Sequence, residues 1–196
     1  MNPFKQLIRS SIATILIAGS LQMLQAAEAP SQVDDFSNAN ANSLGLPRMH
    51  VDDTSAGGKT APTYKIADGV FSAKGEIVPP RGQPGWASTV LLLDPQGQAV
   101  DASQYEGILL RVRVNKGNLS ISANSTEITN FDYHAAPIVR QSGSDFHEVK
   151  IPFASMKRAW SEQTRLNTKT IASLSLTAFS LQKASFDFEI DEVRFY

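Results

Sequence analysis

In the segment Ile108-Leu109-Leu110-Arg111-Val112-Arg113-Val114, apolar residues stand at every second position. Ile108, Leu110, Val112 and Val114 share one face, and Leu109, Arg111 and Arg113 share the other. A period of two with β-branched residues marks a strand that buries one side. Asn115-Lys116-Gly117-Asn118 follows with turn chemistry. Leu119, Ile121 and Ala123 then alternate with Ser120 and Ser122, so a hairpin between the two segments is expected.

The same alternation continues toward the C-terminus. Val149, Ile151 and Phe153 alternate with Glu148, Lys150 and Pro152, and Leu174, Leu176 and Ala178 with Ser175 and Thr177. Pro152 has no N–H to donate, so its strand ends there or runs along an edge. Phe186, Phe188 and Ile190 alternate with Asp187, Glu189 and Asp191; the apolar phase then slips to Val193 and Phe195. That slip predicts a bulge near Asp191-Glu192. Toward the N-terminus, residues 32–36, 63–66, 70–77 and 86–93 read as strands. They are separated by Gly57-Gly58, Asp68-Gly69, residues 79–85 and Asp94-Pro95-Gln96-Gly97. Only residues 155–165 suggest helix, one or two turns of it. Many short strands with close turns predict an all-β sandwich or jelly roll.

Composition agrees with a single globular unit. The chain has 196 residues, 42% hydrophobic and 19% charged, with a net charge of −1. Without a basic excess there is no electrostatic footprint for nucleic acid. Cysteine is absent, which excludes disulfides, thiolate metal sites and cysteine nucleophiles. Residues 1–27 read as a signal peptide: Lys5 and Arg9 precede an apolar run to Leu24, and small residues Ala26-Ala27 follow. The run is broken by Gly19, Ser20 and Gln22 and is too short for a spanning helix. Residues 28–196 are then one domain, soluble after export, in the periplasm or secreted.

Motifs of catalysis are missing. There is no nucleophile elbow, P-loop or dinucleotide fingerprint. His147-Glu148 opens like a metalloprotease motif, but Ile151 stands where the second histidine belongs. His50, His134 and His147 lack ligand spacing. Asp187, Glu189 and Asp191 share a strand face; a glycosidase would need two such carboxyls, whereas a solvated face needs none. The candidates for ligand binding are Trp86, Arg111, Arg113, Tyr133 and Trp160. Arg111 and Arg113 form a basic stripe that either meets an acidic ligand or pairs across strands with acids such as Glu148 or Asp187. Trp160 lies in a polar stretch, and an aromatic face there would stack on the apolar C–H face of a sugar. Trp86, which opens a strand, reads first as core and second as such a platform. Phe131-Asp132-Tyr133-His134 reads as a rim loop with Tyr133 exposed.

Several segments together resemble the complex I intermediate-associated protein 30 family. They are Val33-Asp34-Asp35-Phe36-Ser37, the acidic loop from Val51-Asp52-Asp53 to Gly57-Gly58-Lys59-Thr60, and Gly85-Trp86-Ala87-Ser88. Asp101 to Arg113, Phe146 to Phe153 and Phe186 to Val193 complete the set, so the resemblance covers roughly residues 33–195. It implies a galactose-binding-like jelly-roll β-sandwich of two antiparallel sheets. The family's known member is an assembly chaperone for respiratory complex I in mitochondria; an exported chain would not share that client. The resemblance therefore implies a non-catalytic module that binds or helps assemble a partner protein. The alternative on the same fold is a stand-alone carbohydrate-binding module. Sandwiches of this kind often clamp a structural calcium between the chain ends, which makes Asp34, Asp35 and Asp191 the acids expected to hold it. Asp52-Asp53 before Gly57-Gly58 is a second candidate loop. No other cofactor is implied.

Overall fold

The computed structural model describes residues 26–141, 143 and 145–196. The expected signal peptide lies outside them, apart from Ala26 and Ala27. In chain order the strands are β1 (Ala27–Glu28), β2 (Gln32–Asp34), β3 (Arg48–Asp52), β4 (Ala61–Ala67) and β5 (Val70–Ile77). Next come β6 (Gly85–Leu92), β7 (Val100–Asp101), β8 (Gly107–Lys116), β9 (Asn118–Ser125) and β10 (His134–Ile138). Last are β11 (His147–Pro152), β12 (Lys157–Arg158), β13 (Ile171–Ser180) and β14 (Ala184–Phe195). Two single-turn 3-10 helices, Asp53–Ala56 and Phe153–Ser155, are the other regular elements among the described residues. The helical turns expected over 155–165 are not formed: β12 and a bent loop take their place.

Two sheets enclose the core. In the eight-stranded sheet the order β3-β6-β13-β9-β10-β12 runs across, with β7 and β1 joined to one end of β13. The six-stranded sheet runs β11-β8-β14-β5-β4, with β2 against the end of β14. Every pairing except β1 with β7 is antiparallel. One apolar cluster fills the space between, from Ala29 to Phe195. No helix among the described residues is long and apolar enough to cross a membrane.

The decisive alternation is seen as read. Ile108, Leu110, Val112 and Val114 are buried on the inner face of β8, while Arg111 is exposed and Arg113 half-buried. The expected hairpin is not. β8 pairs with β11 and β14, whereas β9 pairs with β13 and β10 in the other sheet. Gly117, at φ +81°, links the two strands across the edge of the sandwich. Leu119, Ile121 and Ala123 thus join the core from the opposite sheet. The predicted bulge is present: the register of β14 against β8 shifts between Ile190 and Glu192, and the extra residue is Asp191.

Candidate functional site

Strand alternation makes the outer face of the eight-stranded sheet unusual. Leu174, Leu176 and Ala178 of β13, and Leu119, Ile121 and Ala123 of β9, turn inward and are fully buried. The residues between them are small and polar rather than charged. In one row across the sheet Ser88 of β6, Thr177 of β13 and Ser120 of β9 stand side by side; in the next row stand Ser175 and Ser122. With Asn124 they floor a groove of about 760 Å³. Its floor is knit together: Ser88 Oγ lies 2.9 Å from Thr177 Oγ1, and Asn124 Nδ2 donates to Ser173 Oγ and Ser175 Oγ at 2.9 and 2.8 Å.

Aromatic side chains stand at both ends. At one end are Trp86 and Phe179, cross-strand neighbours on β6 and β13, beside Val51 of β3. Trp86 is not core: Ala87 and Leu91 take the inner positions of β6, so its ring faces the groove. At the other end Phe131, Tyr133 and Trp160 line the wall. Tyr133 and Trp160 meet edge to face with centroids 5.3 Å apart. Trp160 is 60% exposed and Phe131 92%. Phe131 is the exposed ring of the rim loop, and Tyr133 is half-buried, the reverse of the emphasis read from sequence. Phe131 also adopts φ +62°, a left-handed backbone that a bulky residue holds only under local constraint.

Two buried carboxylates hold these ends in place. Asp132 has a fully buried side chain. It accepts from Arg158 Nε at 2.8 Å, Tyr133 N at 2.8 Å, and Ala159 N and Ser161 N at 3.0 Å each. Burial alone would raise its pKa, but the Arg158 and Ser161 hydrogen bonds and those from the backbone outweigh it and hold the carboxyl far below its usual range. Residues 130–133 are thereby tied to the loop that carries Trp160. At the other end Asp53, also fully buried, accepts from Thr60 N, Thr60 Oγ1 and Trp86 N at 3.1, 2.7 and 3.1 Å. Asp52 caps the turn Asp53–Ala56 through Thr54 N. The acidic double-glycine loop, read from sequence as a second candidate for calcium, thus uses Asp53 to clamp Trp86.

The remaining candidates sit elsewhere. Arg111 and Arg113 project from the outer face of the six-stranded sheet, away from the groove. They pair not with Glu148 or Asp187 but with Asp191 at 2.6 Å and Glu189 at 2.6 Å on β14, and the Phe146 ring lies against both guanidinium groups. Asp187 accepts from Asn115. The three acids of the β14 face are thus each engaged, and none stands as a free carboxyl pair.

The calcium set does not assemble. Asp34 is fully buried and bonded by Arg48 Nε at 2.6 Å and Nη2 at 2.8 Å. Asp35 is turned to its own Ser37. Asp35 and Asp191 border one polar recess, where burial, opposed by Arg111, raises the pKa of Asp191. Among the described residues no group of three or more His, Cys, Asp or Glu is placed to hold a metal ion. With Asp34 neutralised by Arg48, these residues do not fit a calcium ion. His134 is a buried residue of β10 bonded to the Thr164 carbonyl, and His50 stacks on Tyr64.

The sequence reading named Phe131 only as part of the rim loop, and it missed Phe179 and the hydroxyl floor. The signal for the floor was present, since serine and threonine fill the polar positions of β9 and β13 where a solvated face usually carries charge.

A family model described as complex I intermediate-associated protein 30 matches residues 36–190. No curated protein sequence matches the chain. Among solved structures it is similar to the family 11 carbohydrate-binding module from Clostridium thermocellum in complex with a β-1,3-1,4-mixed-linked tetrasaccharide. The identity is 16% and the TM-score 0.59, over 87% of this chain and 96% of that one. It is also similar to a family 30 carbohydrate-binding module, at 14% identity and TM-score 0.53, over 83% of this chain and 96% of that one. An agarase matches at 11% identity and TM-score 0.53, over 84% of this chain but only 26% of the enzyme. At these identities the likeness is one of fold: a galactose-binding-like jelly-roll β-sandwich.

Proposed function

The chain belongs to the complex I intermediate-associated protein 30 family, and on that premise we propose that it is a non-catalytic binding module whose ligand is a glycan lying in the groove of the eight-stranded sheet. The observation that carries this reading is the facing of two aromatic ends, Trp86 with Phe179 and Tyr133 with Trp160, across a floor of hydroxyl and amide groups. Ring faces accept the apolar faces of sugars, and the floor supplies partners for their hydroxyls. The fold likeness to carbohydrate-binding modules supports the same reading. The engagement of Asp187, Glu189 and Asp191 supports a binding role over hydrolysis.

Titration of the purified protein with a broad set of glycans tests it. Trp160→Ala is expected to weaken ligand binding by at least about tenfold, as loss of an aromatic anchor does, with the thermal unfolding midpoint unchanged. Silence across the glycan set from a folded protein would end this reading. Assembly of a partner protein, the reading closest to the family's known member, would then stand on the exposed Phe131 and Trp160 at the rim. The proposal also places the protein in the periplasm or outside the cell, on the strength of Lys5, Arg9 and the apolar run behind them. Recovery from the envelope or medium with Glu28 as first residue is the expected result.

A further inference from the structure

The charge of the groove lining is one-sided. No aspartate or glutamate is among the residues that line it. Of its two cations, Arg158 is bound to Asp132 and so brings no net charge. Lys157 is different. It is exposed, and its ammonium has no hydrogen-bond or ion-pair partner among the described residues. The register places it in the row Ser175 (β13), Ser122 (β9), Ala135 (β10), Lys157 (β12). That row spans about 14 Å at the usual spacing of neighbouring strands.

Its far end is a donor as well. Ser175 Oγ accepts from Asn124 Nδ2 at 2.8 Å. A hydroxyl that accepts from an amide still has its own hydrogen to give. No side chain takes that hydrogen among the described residues, and Ser175 lines the groove. The row therefore ends in a hydroxyl donor on one side and an unpaired ammonium on the other. The hydroxyls of the floor and Asn124 Oδ1 can serve a neutral sugar, but the one uncompensated charge on the lining, among the described residues, is positive, and no carboxylate stands there to repel an anion. An anion on the ligand needs donors only.

Resting on the glycan reading above, we propose that the groove selects anionic glycans, chains that carry carboxylate or sulfate groups, with Lys157 as the anion contact and Ser175 as a donor to the same chain. Calorimetric titration with polygalacturonate, ι-carrageenan and a neutral β-1,3-1,4-glucan, at low and at high salt, tests it. At low salt one anionic probe is expected to bind about fivefold tighter than the neutral one, the scale of a single exposed ion pair, and high salt should erase the difference. The two anionic probes tell carboxylate from sulfate. Lys157→Gln should remove the advantage, while Lys150→Gln, on β11 of the other sheet, should keep it. Equal binding of the neutral glucan, or a preference that survives Lys157→Gln, would overturn the proposal and leave the glycan reading standing. Anionic binding that survives Trp160→Ala lies outside the groove and overturns it as well. No binding of any probe by the folded protein would overturn both.

Discussion

Asp132 shows how a residue outside the groove lining shapes the candidate site. Its carboxylate collects four donors from two loops, and so decides where Tyr133 and Trp160 stand. Removing one partner of a buried pair leaves the other charge uncompensated, so Asp132→Ala is expected to cost about 3 kcal/mol in chemical unfolding. The pH dependence follows from the depressed folded-state pKa. Such a group stabilises fully above its unfolded value, about 4, and the contribution fades as pH falls toward the folded value. Tryptophan emission should therefore be flat from neutral pH to about 4 and shift only below it; a shift near pH 6 would contradict this account. Asp53 acts in the same way on Trp86, and Gly58 makes it possible. A Cβ at position 58 would lie 2.2 Å from the Asp53 carboxyl. Gly58→Ala is thus expected to lower stability by about 1–3 kcal/mol, typical of overpacking, with a change in Trp86 emission.

At the level of elements, β8 carries two kinds of position on one strand. Leu110 is fully buried between the sheets, and Leu110→Ala should cost about 2–5 kcal/mol. Arg111, next to it, pairs with Asp191 from a side chain that is 51% exposed. Arg111→Ala should cost under about 1 kcal/mol, and urea unfolding of the two variants separates them. The bulge at Asp191 was legible because an extra residue must shift the apolar phase, which the step from Ile190 to Val193 records. The sheet membership of β9 was not. A turn followed by an alternating segment fits a hairpin and a crossover between sheets equally well; the strand's neighbours, β13 and β10, lie far along the chain. β3 and β10 escaped notice because β3 alternates the reverse way, with Met49 and Val51 outward and Arg48 and His50 turned toward Asp34 and Tyr64, and Pro137 interrupts β10.

For the whole molecule the matter is length. Four strand steps separate β6, which bears Trp86, from β12, which leads to Trp160. At the usual strand spacing this is about 19 Å, the span of an oligosaccharide and not of one sugar ring. On the proposed glycan reading, affinity should rise with chain length from mono- to oligosaccharide before it levels off, as read by titration with a size-graded series. A single sugar that binds as tightly as the longer chains would place recognition at one end alone.

The sequence by itself determined the all-β class, most strands, the bulge and the family, and it put forward Trp86, Tyr133 and Trp160 as candidates for ligand binding. These depend on local periodicity and on residues whose chemistry is visible one at a time. Only the tertiary structure decided that those three share a groove while Arg111 and Arg113 lie on the opposite sheet. It alone decided that Asp34 belongs to Arg48, and that Asp53 and Asp132 are internal clamps. The reason is that a strand's alternation says which residues share a face, but not which sheet the strand joins or which way that face looks. Pairing between distant strands settles both, and it also settles whether a charged side chain meets solvent, ligand or its opposite charge.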